Sequence, residues 1–184
     1  MIKYTIKAPS QLNASINLPA SKSISNRALV ISAMAGSHIQ PDNLSDCDDT
    51  EVIVAALQNM PEVINIKAAG TAMRFMTAYL STTPGEHTIT GTERMQNRPI
   101  GILVDALRYL GADITYEKKE GYPPLHIRGK ALEGGHLEVV GNISSQYISA
   151  LLMVGPTLAE GLPLHLESTI ISRPYIDMTI SLMQ

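Results

Sequence analysis

The sequence predicts a mixed α/β (α+β) fold assembled from a recurring unit of helix, strand, helix and strands. Three observations carry this. Segments of helical and of strand periodicity alternate along the whole chain. Helix starts near residues 22, 70 and 144 are each followed by a second start, near 48, 98 and 173, at almost constant spacing. The dipeptide Arg98-Pro99 recurs as Arg173-Pro174, each time ahead of an apolar stretch that contains an aspartate, Asp105 or Asp177.

The elements follow in order. Lys3 and Lys7 alternate with Ile2, Tyr4 and Ile6, as in a strand rather than a secretory signal. Leu12, Ala14, Ile16 and Leu18 alternate with Asn13, Ser15 and Asn17, the pattern of a half-buried strand. Pro19 blocks its continuation, and Ser21 is a candidate N-cap for a helix whose apolar stripe is Ile24, Ala28, Ile31 and Ala35, closed by Gly36. Asp48 and Asp49 suit the positive end of a second helix, which runs through Val52, Val54, Ala55 and Leu57 and stops before Pro61. Val63 to Lys67 is a short strand. Gly70 and Thr71 open a third helix through Leu80, and His87 to Thr90 form a strand. Arg98 and Pro99 open a helix ending at Gly111, with proline in the first turn, where its missing N–H does no harm. Strands span 112–116, 125–128 and 136–140. Ser144 opens a helix whose Tyr147, Ile148, Ala150, Leu151, Leu152 and Val154 surround it with apolar groups, so it is buried on most sides. Leu164 to Leu166 is a strand, and Arg173 and Pro174 open the last helix. In this last copy no strands follow the second helix before Leu182, Met183 and Gln184, so a fragment of a longer protein is expected.

Composition bounds the function. The 184 residues are 45% hydrophobic and 17% charged, which excludes a disordered chain. The most apolar run, Ile148 to Ala159, is broken by Gly155 and Pro156 and falls short of the roughly 20 residues of a membrane span. A net charge of −3 and a pI near 5.9 argue against a nucleic-acid binder but leave room for a local anion site. The single cysteine, Cys47, fits a reducing, cytoplasmic setting.

Polar groups gather at the helix starts. Lys22, Ser23, Asn26 and Arg27 lie off the apolar stripe of the first helix, and two cations beside a positive helix end call for an anion. Ser144, Ser145 and Gln146 repeat the idea with hydroxyls, as do Ser172, Arg173 and Tyr175; Gly70 and Thr71 leave their amides open, with Arg74 one turn on. Each has an alternative: Ser144 and Ser172 as simple caps, Arg94 and Arg98 as solvated charges. His38, His87, His126, His136 and His165 are scattered and form no metal motif. Asp46, Asp48 and Asp49 around Cys47 would raise its pKa and disfavour a nucleophile.

Five motifs, in order, resemble the signatures of the 5-enolpyruvylshikimate-3-phosphate synthase family: Leu18-Pro19-Ala20-Ser21-Lys22-Ser23-Ile24-Ser25-Asn26-Arg27-Ala28-Leu29, Ala69-Gly70-Thr71-Ala72-Met73-Arg74, Arg94-Met95-Gln96-Asn97-Arg98-Pro99-Ile100, Ser144-Ser145-Gln146-Tyr147 and Ser172-Arg173-Pro174-Tyr175-Ile176-Asp177. The resemblance implies a two-lobed enzyme, each lobe made of three βαβαββ units, monomeric when full-length. Residues 1–18 would be a strand segment of the other lobe plus the hinge, and 19–184 one lobe with its third unit incomplete. The implied reaction moves the enolpyruvyl group of phosphoenolpyruvate to the 5-hydroxyl of shikimate 3-phosphate, by addition and then elimination of phosphate, without metal or organic cofactor. Carried over by position, Ser23 and Arg27 would hold the shikimate carboxylate, and Ser144, Ser145 and Ser172 the 3-phosphate with Tyr175 nearby. Lys22 would lie between both substrates as the catalytic cation, with Gln146 beside the ring. Gly70, Arg98, Lys22 and Gln146 would meet phosphoenolpyruvate.

Four positions depart from the family pattern. Lys67 and Ala68 replace Gly-Asn, Phe75 stands where proline often follows the arginine, and Ala20 replaces a glycine. The acid and base carboxylates, a second lysine and further arginines would come from the other lobe, so the chain alone is expected to be inactive. Two rival readings are a UDP-N-acetylglucosamine enolpyruvyltransferase-like enzyme and a noncatalytic anion-binding module. Against the first, residues 92–97 contain no cysteine and Lys22 is followed by Ser23 rather than asparagine.

Overall fold

The computed structural model describes residues 3–37 and 39–184, so Met1, Ile2 and His38, which enter the readings above, lie outside the described residues. Helix α1 spans Lys22–Met34, with the Ser21 hydroxyl accepting from the Ile24 amide, and α2 spans Asp48–Asn59 with three acids in its first turn. Strand β1 (Val63–Asn65) leads into α3 (Gly70–Thr82) and β2 (Gly85–Thr90). A single turn, α4 (Glu93–Gln96), precedes α5 (Gly101–Tyr109), β3 (Asp113–Tyr116) and β4 (Leu125–Gly129). Strand β5 (Leu137–Val140), α6 (Ser145–Val154), β6 (Leu164–Glu167) and α7 (Arg173–Met183) complete the chain.

Two sheets result. In the first, ordered β1-β2-β4-β3, β1 and β2 run parallel on either side of α3, while β4 lies antiparallel to both β2 and β3. Residues 63–129 therefore form one whole βαβαββ unit, as the repeat predicts. In the second sheet β5 and β6 run parallel across α6, repeating the β-α-β start of that unit with α7 following. A parallel pair needs a crossover connection, and a helix buried on nearly every side supplies it here.

That burial sits on α3 and α6. In α3 every residue from Gly70 to Ala78 is buried, followed by Leu80 and Ser81. Its hydroxyls are accommodated by bonding back along the helix, Thr77 Oγ1 to Met73 O and Ser81 Oγ to Thr77 O, both at 2.7 Å. At the end of β4, Gly129 lies against the carbonyls of Leu80 and Thr83, a position where a side chain would collide with backbone. Phe75 is fully buried inside α3 rather than bending its start, and it fills space beneath the guanidinium of Arg27.

Three expectations need correction. Residues 12–18 form no strand among the described residues; Leu12, Ile16 and Leu18 are 81%, 77% and 85% exposed, because nothing packs on their apolar face. The buried side of α1 is Ser25, Asn26, Arg27, Leu29 and Val30, while Ile24 is exposed. Partners across the core make this polar face buriable: Ser25 Oγ accepts from the Ser45 amide at 2.9 Å and Asn26 Oδ1 from the Thr50 hydroxyl at 2.7 Å. Finally, Pro99 is not in the first turn of α5, which begins at Gly101 after the N-cap Ile100. The Pro99 carbonyl is taken by Arg74 and Tyr147 instead.

Candidate functional site

Short contacts draw the helix starts together at one end of the molecule. Lys22, first in α1, bridges Asp49, second in α2, at 3.4 Å. Thr71 and Gln146, second in α3 and in α6, share a hydrogen bond from Gln146 Nε2 to Thr71 Oγ1 at 3.2 Å. The Pro99 carbonyl, just ahead of α5, accepts from Arg74 Nη2 at 2.9 Å and from the Tyr147 hydroxyl at 2.8 Å. The start of α7 joins through the Ile171 amide, which donates to the Gly141 carbonyl of the loop ahead of α6 at 3.3 Å. Each start brings free N–H groups and the positive end of a helix dipole, so their convergence makes a candidate anion site.

Gly70, Arg98 and Gln146 meet directly around the start of α3. The guanidinium of Arg98 lies on Gly70 so closely that a Cβ there would come within 2.8 Å of Arg98 Cζ, so a side chain at this position would push Arg98 aside. Arg98 itself is exposed, and among the described residues no carboxylate lies within salt-bridge distance of it or of Arg94. Partial burial holds the Arg98 guanidinium below its ordinary pKa, aided by repulsion from Arg74 and Arg94, with Tyr147 and Asp49 opposing. Cations crowded without a counter-charge gain most from a bound anion.

Lys22 stays half in solvent, its side chain 48% exposed, and Asp49 supplies part of the compensation that the sequence leaves open. Nothing in the sequence pairs residues 22 and 49; the contact exists only once α1 and α2 pack side by side. Ser23 is half-buried, and its carbonyl accepts from Arg27 Nη1 at 3.0 Å.

Arg27 is placed differently from the expectation of an open carboxylate ligand. It is 2% exposed, with Nε donating to Thr179 Oγ1 at 2.7 Å and Nη2 to Ser149 Oγ at 3.0 Å. Its guanidinium lies between the rings of Phe75 and Tyr175, 5.3 and 5.8 Å from their centroids. Burial lowers its pKa and Tyr175 counteracts this. Ser149 and Thr179 are members of this network that the sequence reading missed, since a lone hydroxyl in an apolar helix carries no signal of its partner.

The serines separate the capping and ligand readings. Ser144 is exposed and does cap α6, through a long 3.4 Å bond from the Gln146 amide; Ser145 beside it is buried. Ser172 is exposed, sits in the left-handed region at φ +55° and makes no capping bond. Capping therefore does not account for Ser172, and strained backbone of this kind concentrates at functional positions. Tyr175 is half-exposed one turn on. Cys47 also departs from expectation: burial pushes its thiol up, but hydrogen bonds from Ser45, from Thr50 and from the amides of Thr50 and Asp49 outweigh that and leave it below its ordinary value. No helix is long and apolar enough to cross a membrane among the described residues.

Comparison with known proteins gives the family of the chain. The family model for EPSP synthase (3-phosphoshikimate 1-carboxyvinyltransferase) matches residues 6–66 and 58–184. A 3-phosphoshikimate 1-carboxyvinyltransferase of Bacteroides fragilis is 62% identical over 183 residues, covering 100% of this chain and 45% of the relative. That of Shewanella halifaxensis is 39% identical over 199 residues, covering 94% of this chain and 47% of the relative. The chain thus spans about half the length of the curated relatives it matches. An EPSP synthase structure from Acinetobacter baumannii shares the fold at 22% identity, with a TM-score of 0.67 over 78% of this chain and 38% of that one. With five motifs in order, a βαβαββ unit closed in space and a family model matching nearly every residue, the chain belongs to the EPSP synthase (3-phosphoshikimate 1-carboxyvinyltransferase) family.

Proposed function

We propose that this chain supplies the shikimate 3-phosphate lobe of an enolpyruvyltransferase of aromatic amino acid biosynthesis, working in the cytoplasm as a monomer once joined to the second lobe. The observation that carries this is the convergence of Lys22, Gly70, Arg98, Ser144, Ser145, Gln146 and Ser172 at one end, on the N-terminal turns or flanks of five helices. In this reading Ser144, Ser145 and Ser172 donate hydroxyl and amide hydrogen bonds to the 3-phosphate, each charge-assisted bond contributing about 1.5–3 kcal/mol. Arg98 and the open amides at Gly70 take the phosphate of phosphoenolpyruvate, and Gln146 spans the two subsites from its bond to Thr71. Lys22 stabilises charge that develops between the substrates as the 5-hydroxyl oxygen bonds to the enolpyruvyl carbon and phosphate later leaves.

Ser23 offers the shikimate carboxylate its first contact. Arg27 has two N–H groups left after its three bonds, so it reaches that carboxylate when the start of α7, which lays Tyr175 over it, shifts outward. Residues 3–18, exposed and without regular secondary structure, are the segment that joins the second lobe.

Calorimetry of the 184-residue chain tests the reading. Shikimate 3-phosphate is expected to bind weakly, and Ser144→Ala with Ser172→Ala to weaken it by at least about tenfold. Phosphate release with both substrates is expected to be undetectable, because general acid and base groups are supplied by the second lobe. Turnover by this chain alone, or binding indifferent to both serines, would overturn it.

A further inference from the structure

Two buried side chains outside the proposed substrate contacts converge on the peptide that carries Arg98. Arg74 Nη2 and the Tyr147 hydroxyl both donate to the Pro99 carbonyl, at 2.9 and 2.8 Å. Arg74 is tied at its other end to the Gly70 carbonyl through Nη1 at 3.0 Å, and its guanidinium lies 5.6 Å from the centre of the Tyr147 ring. Both side chains are more than nine-tenths buried, and Arg74 Nε has no partner among the described residues. A buried arginine with one donor unsatisfied is costly, and one carbonyl taking two side-chain donors is more than loop closure needs. The two bonds fix the carbonyl that follows Arg98, between the Arg98 amide, which donates to Met95 O, and the Ile100 amide, which donates to Gly121 O, both at 2.9 Å. They fix it relative to Gly70, on which the Arg98 guanidinium rests. Arg98 is otherwise an exposed side chain without a carboxylate partner among the described residues, and an unheld arginine loses rotamer entropy on meeting a ligand.

We infer that Arg74 and Tyr147 are positioning residues, a clamp on the Pro99 carbonyl that holds the Arg98 guanidinium over the first turn of α3 for the phosphate of phosphoenolpyruvate. The ligand rests on the reading proposed above; the clamp itself does not. Tyr147 is suited to this because it follows Gln146, so one turn of α6 orders both the Gln146–Thr71 bond and the Arg98 loop.

Nitrogen-15 relaxation of the Arg98 Nε–H, assigned by its loss in Arg98→Gln, reads the clamp without ligand. Tyr147→Phe deletes one donor with little change of shape, and Arg74→Lys keeps the charge but loses the fork. Both are expected to raise Arg98 side-chain mobility and to weaken phosphoenolpyruvate binding about fivefold, the equivalent of one ordinary hydrogen bond. Shikimate 3-phosphate affinity of Tyr147→Phe should stay unchanged and its Tm fall only by the roughly 2–4 °C that one hydrogen bond is worth, whereas a general loss of packing would lower both. Arg98 as rigid in Tyr147→Phe as in the parent would overturn the inference, even if Arg74→Lys does not fold. Loosening of Arg98 in a chain whose parent binds no phosphoenolpyruvate would support the clamp and overturn the ligand assignment instead.

Discussion

Two residues with left-handed backbone, Lys67 and Ser172, show how the same strain carries different meanings. Lys67 has φ +52° in the turn before α3, where its amide donates to Asn65 Oδ1 at 2.9 Å and its carbonyl accepts from the Thr92 amide. Glycine suits that conformation without cost, which gives a physical reason for the glycine that the family pattern has there. Lys67→Gly is expected to leave stability unchanged or raise it by up to about 1 kcal/mol in urea unfolding. Ser172→Gly relieves the same kind of strain but removes a hydroxyl assigned to the phosphate. It should therefore gain similar stability while losing about tenfold in shikimate 3-phosphate affinity by calorimetry. Affinity kept in Ser172→Gly would mean that the serine serves the turn alone. Sequence spacing could not separate the two positions, because φ is set by how the loops close onto Gly91 and Gly141.

At the scale of elements, the helices and the apolar surround of α6 were legible, and the buried polar face of α1 was not. Caps, prolines and apolar periodicity place all six long helices within about three residues, since these signals are local. The α4 turn was missed because four residues carry no period. The sequence places the polar face of α1 outward because the side-chain partners of Asn26 and Arg27 lie on α2, α6 and α7, far away in sequence. Arg27 ties α1, α6 and α7 together, with Thr179 Oγ1 both accepting from it and bonding Ser149 Oγ at 2.9 Å. Thr179→Val keeps the shape and leaves a buried guanidinium N–H unpaired, so about 2–3 kcal/mol of stability should be lost. Hydrogen exchange along α7 should accelerate before that of α3, because α7 is otherwise half in solvent. Uniform acceleration across all helices would show that α7 is no separate unit.

For the molecule as a whole, pattern reveals that a face needs a partner but not where the partner lies. The alternation in residues 12–18 marks a strand, yet within this chain nothing covers it. Charge behaves likewise. The net charge of −3 conceals a cationic end, where Lys22, Arg74, Arg94 and Arg98 stand among converging helix starts. Arg74 and Arg94 repel Arg98 there and Asp49 compensates only in part, so inorganic phosphate or sulfate should stabilise the chain by mass action. The gain should rise with the logarithm of concentration, reaching about 2.7 kcal/mol at a hundred times the dissociation constant and about 1.4 kcal/mol more for each further tenfold. Sulfate also strengthens apolar burial by exclusion from protein surfaces, but that effect rises steadily with concentration and ignores any single residue. Thermal unfolding of the parent and of Arg98→Gln across a sulfate series, at ionic strength matched with chloride, separates the two. A steep rise at low sulfate that turns logarithmic in the parent and is largely absent in Arg98→Gln is the expected result. Parallel, linear rises in both would mean that the converging helix starts hold no anion.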